Sequence, residues 1–372
     1  MIRSVRALVF RCPIETPVVT SFGIMRDRPM VLVRVEDGDG VVGWGESWCN
    51  FPTVGAEHRA RLVESVLAPL LEGGHFEHPQ EAFRLMTSRT AVLAIQSGEQ
   101  GPVAQAIAGV DIALWDLAAR RARQPLWRML GGTSPRVRVY ASGLNPDAPE
   151  MLAAKRRAEG YAAFKLKVGF GIERDVANLT ALRTELGEDV DLIVDANQGW
   201  SLAEAAETAP RLERFKLRWL EEPLRADSPW NDWKILARRT GIPLAAGENI
   251  GSDEAFDAAL HAEALDVVQP DMAKWGGFSG CLPVARRILD AHLRYCPHFL
   301  GGGIGLLASA HLLAAVGGDG LLEVDANPNP LRTLTSGAIS KVVDGTVTLG
   351  EEPGLGVPPD LAALKPFAQP KA

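Results

Sequence analysis

The sequence predicts an α/β protein in which eight strands alternate with helices and close into a parallel barrel, preceded by a smaller α+β unit. Two observations predict it. From about Arg136 onward, short apolar runs alternate with amphipathic helical stretches. The last seven of those runs each carry an acid, a lysine pair or a histidine near the C-terminal end, at separations of 23 to 28 residues, which is one strand, loop and helix each time. In a parallel barrel all such ends meet at one face, and that face is where barrels of this kind do chemistry. A chain of 372 residues, 47% hydrophobic and 23% charged, is long enough for a barrel with an appendage.

Taken in order, the apolar run inside MIRSVRALVFRCPIE is too short for a signal peptide, and no apolar stretch reads as long enough to cross a membrane. VLVRVED (Val31 to Asp37), the turn GDG and VVGWGE read as a β-hairpin. AEHRARLVESVLAPLLEG, which ends on Gly73, and AIAGVDIALWDLAARRA read as helices, and Gly131 and Gly132 after QPLWRML as a helix stop. Residues 1–125 are assigned to the α+β unit and 126–329 to the barrel, whose strands are VRVYAS, AAFKLKV, VDLIVDAN, LRWLEEP, IPLAAGEN, ALDVVQPD, LRYCPHF and GLLEVDAN.

Composition narrows the function classes. With 39 basic and 46 acidic residues the net charge is −7, and no basic stripe is present for nucleic acid or a membrane surface, so a small-molecule substrate is expected. Cys12, Cys49, Cys281 and Cys296 are scattered without CxxC spacing and read as reduced thiols of a cytoplasmic protein.

Only nine of the basic residues are lysines, yet Lys165 and Lys167 sit two apart in one apolar strand. Arginine stays protonated, whereas a desolvated lysine can lose its proton, so the pair suggests a base. The period of two puts both on one face, where each ammonium disfavours the other's charge. Three consecutive strand ends supply Asp195, Glu221 and Glu248, and converging carboxylates repel unless a cation lies among them. An all-carboxylate set suits Mg²⁺. Each acid alone could equally cap a helix or pair with an arginine; the common register favours the metal. Within LEEP, strand alternation selects Glu221 over Glu222. Across the barrel, Asp271 and His298 end adjacent strands, the arrangement of an acid orienting an imidazole. HFEH (His75 to His78) reads as a solvated surface stretch and His311 as a packed helix residue, while Gly301 to Gly303 form a turn that could let backbone approach a substrate.

The set FKLKVG, VDANQGW, WLEEPL, GEN, QPDMAKWGG, PHF and LLEVD, with the helix AGVDIALWDLAAR, resembles the mandelate racemase branch of the enolase superfamily in motif order and spacing over nearly the whole chain. The resemblance implies a modified TIM barrel, (β/α)7β, capped by the N-terminal α+β domain with help from the C-terminal tail, 330–372. It implies Mg²⁺ on Asp195, Glu221 and Glu248, Lys167 as base on one face and the His298–Asp271 dyad on the other. By the same match Lys165 tunes Lys167 and holds a substrate carboxylate, Glu323 hydrogen-bonds that carboxylate as the enediolate forms, and Asn197 and Ser142 touch the substrate. TSFGIMRDR (Thr20 to Arg28) and SWCNF (Ser47 to Phe51) match the two loops that close this family's sites, with Arg26 a candidate for a second substrate carboxylate. Relatives commonly form homo-oligomers. The muconate-lactonizing branch carries lysine where this chain has Asp271, which argues against a cycloisomerase.

The expected reaction is Mg²⁺-dependent abstraction of the proton α to a carboxylate, then dehydration of an aldarate or aldonate to a 2-keto-3-deoxy acid. The alternatives are racemisation or epimerisation of a 2-hydroxy acid and, in another class, an inactive binding or structural barrel.

Overall fold

The structure, a computed structural model, describes residues 1–20, 23–356 and 358–370. Ser21 and Phe22 of the first closing stretch lie outside the described residues. The N-terminal unit is an antiparallel sheet of β1 (Ile2–Thr20), β2 (Gly23–Asp37) and β3 (Val42–Ser47), in that order. Between β2 and β3 the Asp37 carboxylate accepts the backbone N–H groups of Asp39 and Val41, both at 2.9 Å, and closes the expected hairpin. Helix Gln100–Arg121 lies across β3 at backbone contact: a Cβ on Gly45 would stand 2.0 Å from the carbonyl oxygen of Gly109. By length and mean hydropathy, 1.2 in its most apolar window, this helix could cross a membrane, which corrects the reading that no stretch is long enough. It is instead packed within the fold, and its two acids are both used there. Asp111 accepts the Ser279 amide and hydroxyl; Asp116 accepts the amides of Trp44 (2.8 Å) and Leu355 (2.6 Å).

The barrel strands are β4 (Arg136–Leu144), β5 (Ala163–Lys167), β6 (Asp191–Asp195), β7 (Leu220–Glu221), β8 (Leu244–Ala246), β9 (Val267–Val268), β10 (Arg294–Tyr295) and β11 (Leu322–Asp325). They pair in parallel in the order β10-β9-β8-β7-β6-β5-β4-β11, and a helix follows each of the first seven, so the architecture is the expected (β/α)7β. Where β10 and β11 meet, side chains make the join: Leu321 N–H donates to Cys296 Sγ at 3.4 Å, and Phe299 N–H to Glu323 Oε2 at 3.1 Å. β12 (Thr346–Thr348) pairs antiparallel with β4, and the chain end returns to β1, where Gln369 N–H donates to Val9 O.

Strand alternation then decides what fills the barrel. Tyr140, Ala163, Ile193, Trp219, Ala245, Val267, Cys296 and Leu321, one from each strand or its edge, pack into a single buried apolar layer. Two residues further along the same strands stand Ser142, Lys165, Asp195, Glu221, Gly247, Gln269, His298 and Glu323. The apolar layer is the floor on which this polar layer sits.

The capping unit is fastened over that layer by Glu46 of β3. Its carboxylate accepts the amides of Gly302 and Gly305 (2.8 Å for the latter) at the start of helix Gly303–Val316. The triple glycine therefore admits Glu46 and Thr335, whose hydroxyl accepts the Gly303 amide, and not a substrate as the sequence suggested.

Two stability predictions follow from these contacts. Gly45→Ala should destabilise the fold by about 3 kcal/mol or more, at the upper end of overpacking effects, read by denaturant unfolding. His311 is buried and accepts the Trp127 amide through Nδ1, and burial pushes its pKa down to about 3. Because the unfolded imidazole titrates near 6.5, His311 favours the fold fully above about pH 6.5 and progressively less as pH falls toward 3. Thermal unfolding between pH 7 and 4 should accordingly show a shallower pH dependence for His311→Gln than for wild type.

Candidate active site

Lys165 projects from the middle of β5 into the polar layer and is fully buried, with Nζ 2.5 Å from Glu221 Oε1, 2.7 Å from Glu323 Oε1 and 3.6 Å from Asp195 Oδ2. Lys167, one layer nearer the mouth, places Nζ 2.6 Å from Asp195 Oδ2. The Lys165 ammonium does lower the Lys167 pKa, as expected, but it is outweighed. Burial opposes the charge of both, but Glu221 and Glu323 hold the Lys165 pKa well above its ordinary value, and Asp195 raises that of Lys167. Acids from other strands outweigh the neighbouring cation.

The three expected metal ligands occupy adjacent strand ends, Asp195 and Glu221 being direct register partners and Glu248 following β8. Each faces its own cation or donor. Glu221 Oε2 accepts from Gln269 Nε2 at 2.7 Å, and Glu248 meets His298 Nε2 at 2.6 Å and Lys274 Nζ at 3.1 Å. Among the described residues no trio of acids or histidines already surrounds a common point. The donor chemistry nevertheless fits a hard divalent cation: every candidate ligand is a carboxylate, with no thiolate among them. The charge balance also fits. Six acidic side chains, Asp195, Glu221, Glu222, Glu248, Asp271 and Glu323, stand against four basic ones, Lys165, Lys167, Lys274 and His298; burial raises the pKa of Glu221 to about 7 and that of Glu222 well above the usual range, and Glu222 Oε2 is buried without a hydrogen-bond partner.

On the opposite side, Asp271 Oδ2 lies 2.7 Å from His298 Nδ1, while its Oδ1 accepts the amides of Ala273 and Lys274. This leaves Nε2 of His298 directed at Glu248 and, at 3.6 Å, Glu323. Burial disfavours the imidazolium, but Glu248, Glu323 and Asp271 together raise its pKa well above the ordinary value. Glu323 is itself held ionised: burial pushes its pKa up, but Lys165 and His298 bring it below the usual range. It is placed as an acceptor for Ser142, Lys165 and the Phe299 amide.

A cavity of about 190 Å³ opens above these groups, lined by Lys167, Asn197, Glu248 and His298 from the barrel and by Arg28 and Trp48 from the capping unit. Asn197 reaches it, and its amide groups also donate to Asp195. Ser142 does not; it lies in the layer beneath, donating to Glu323. Nor does Arg26, which is exposed on β2. Two residues on, Arg28 takes the place imagined for it: 3% exposed, its Nη2 is 2.8 Å from Asp325 Oδ2, joining β2 to the end of β11. Lys274, which no local sequence signal marks, and Trp48 of the second closing loop also line the cavity. The Trp48 amide donates to Ala273 O at 3.1 Å, and the Lys274 ammonium lies 4.8 Å from the Trp48 ring centre, an arrangement that anchors the second closing loop to the barrel.

Comparison with known proteins agrees with this geometry. Residues 3–131 match the family described as mandelate racemase / muconate lactonizing enzyme, N-terminal domain, and residues 149–363 that described as enolase C-terminal domain-like. A solved mandelate racemase/muconate lactonizing enzyme from Bordetella bronchiseptica RB50 superposes with a TM-score of 0.94 at 60% identity, over 99% of both chains. A racemase from Streptomyces coelicolor A3(2), solved with bound magnesium, superposes with a TM-score of 0.90 at 32% identity, over 99% of this chain and 100% of that one. The D-galactarolactone cycloisomerase of Agrobacterium fabrum is 32% identical over 99% of each chain, and the arabinonate dehydratase of Saccharolobus solfataricus 29% identical over 89% of each. Full-length likeness to a cycloisomerase removes the force of the argument drawn from Asp271 against that reaction.

Arg28→Met should destabilise the protein by about 3 kcal/mol, the lower end for breaking a buried pair, because Arg332 remains 3.4 Å from Asp325. Denaturant unfolding measures it, and adding Asp325→Asn should recover part of the loss.

Proposed function

The chain belongs to the enolase superfamily, in its mandelate racemase/muconate lactonizing branch, and we propose that it removes the proton α to the carboxylate of a sugar acid and expels the β-oxygen. The observation that carries this reading is the dyad: gripped at Nδ1 by Asp271 Oδ2 at 2.7 Å, His298 lines the same cavity as Lys167 and is placed to hand over a proton there. An imidazolium oriented by a carboxylate suits protonation of a leaving oxygen.

Members of this superfamily use Mg²⁺, and here Asp195, Glu221 and Glu248 would hold it; bound there it would stabilise charge developing on the substrate carboxylate and take up the carboxylate charge that otherwise keeps Lys167 protonated. Lys167 Nζ takes the α-proton. The bond from the β-carbon to its hydroxyl breaks, His298 Nε2 delivers its proton to that oxygen, and water departs. The enol left behind becomes the 2-keto-3-deoxy acid. Lys165, paired with Glu221 and Glu323, keeps a fixed positive charge beneath the reacting carboxylate.

The likeness to a D-galactarolactone cycloisomerase favours a second reading with the same two residues. If the β-oxygen belongs to a ring, it leaves its carbon but stays in the product, and the reaction is an isomerisation.

The test is NMR in D₂O with Mg²⁺ and a panel of aldonates, aldarates and their lactones, with semicarbazide detection of 2-keto acids. Wild type should turn over at least one member and lose activity with EDTA. Lys167→Ala should lose both α-deuteration and elimination, and His298→Asn should lose elimination by about 10²-fold or more while still exchanging the α-proton. Elimination at the wild-type rate in His298→Asn would refute its role as acid, and inverted substrate without keto acid would point to epimerisation.

A further inference from the structure

We infer that Glu222, the second acid of the Leu-Glu-Glu-Pro turn, is a positioning residue of the divalent-cation centre, orienting Glu248 through Asn249. This rests on the reading of Asp195, Glu221 and Glu248 as a cation site. Strand alternation would send Glu222 away from the barrel axis, yet it is only 2% exposed, and its backbone takes a left-handed conformation, with φ of 39°, immediately after β7. That conformation is held on both sides. The Glu222 amide donates to Ala245 O at 2.9 Å, and its carbonyl accepts the Gln198 amide at 2.7 Å, so the strands on either side fix where its side chain begins.

Glu222 Oε1 accepts from Asn249 Nδ2 at 2.8 Å, and the same nitrogen donates to Glu248 Oε1 at 3.0 Å. Asn249 Oδ1 in turn accepts from Lys274 Nζ at 3.1 Å, and Lys274 also contacts Glu248 Oε1. One amide therefore sets the spacing of two carboxylates, and one lysine sets the amide. The remaining oxygen, Glu222 Oε2, is buried with no hydrogen-bond partner. A buried oxygen without a partner is costly unless something completes its surroundings. Groups that orient metal ligands typically change metal affinity by about 10–100-fold when removed.

The experiment is isothermal titration of the purified full chain with MgCl₂, without substrate, alongside thermal unfolding in EDTA. Glu222→Ala should bind Mg²⁺ about 10–100-fold more weakly than wild type, with no loss of stability in EDTA, and Glu222→Gln, whose amide oxygen can still accept from Asn249, should recover part of the affinity. Asn249 is exposed and its replacement does not threaten folding, so Asn249→Ala should show the same direction of change. Wild-type affinity in Glu222→Ala or in Asn249→Ala overturns the inference and leaves the cation site standing, as does a Glu222→Ala variant that is merely unstable while Asn249→Ala binds normally. Absence of Mg²⁺ binding by wild type overturns both the inference and the reading beneath it.

Discussion

A layer of acids and lysines in the middle of a barrel is tolerable only if each charge meets an opposite one within hydrogen-bonding distance, and most of this architecture serves that condition. The apolar layer headed by Tyr140 and Trp219 excludes water from below. The capping unit excludes it from above, drawn down by Glu46, Arg28 and Trp48. Between them Lys165 is shared by Glu221 and Glu323, and His298 by Asp271 and Glu248. In such surroundings electrostatic interactions are strong in both directions. The same dryness that makes the pairs firm would make any unmatched charge costly, so the site's acids and bases specify one another's positions.

This interdependence explains why the capping unit contributes few charged groups to the cavity and spends most of its polar contacts on attachment. Arg28 meets a barrel acid, and the Trp48 amide meets a barrel carbonyl. What it presents to the cavity alongside Arg28 is largely apolar, from Val18, Met25, Trp48 and Phe51. Chemistry resides on the strand ends, and the shape of the chamber is imposed from outside.

The barrel was legible in the sequence because each βα unit repeats one pattern, an apolar strand with a functional residue at its end, and repetition survives imprecision at any single unit. The polar layer was legible for the same reason: Lys165, Asp195, Glu221, His298 and Glu323 stand at corresponding points of their strands. Local reasoning failed where the deciding partner came from far along the chain. The charge state of Lys165 depends on Glu221 and Glu323, 56 and 158 residues away, whereas Lys167 was the only neighbour visible in the strand. Arg26 and Arg28 are indistinguishable by type and spacing, and only the approach of Asp325 selects between them. The long strand β1 went unread because arginines interrupt its apolar positions, and Glu222 was set aside because alternation holds within a strand and lapses at its end.

The capping unit is completed by segments far along the chain from its own strands and helices. Asp116, in its central helix, is completed by the amide of Leu355, and β1 by the amide of Gln369. During synthesis the first 121 residues leave the ribosome long before those partners exist. A buried carboxylate thus lacks one of its donors until Leu355 has been added, 239 residues later, and a unit begun early is finished late.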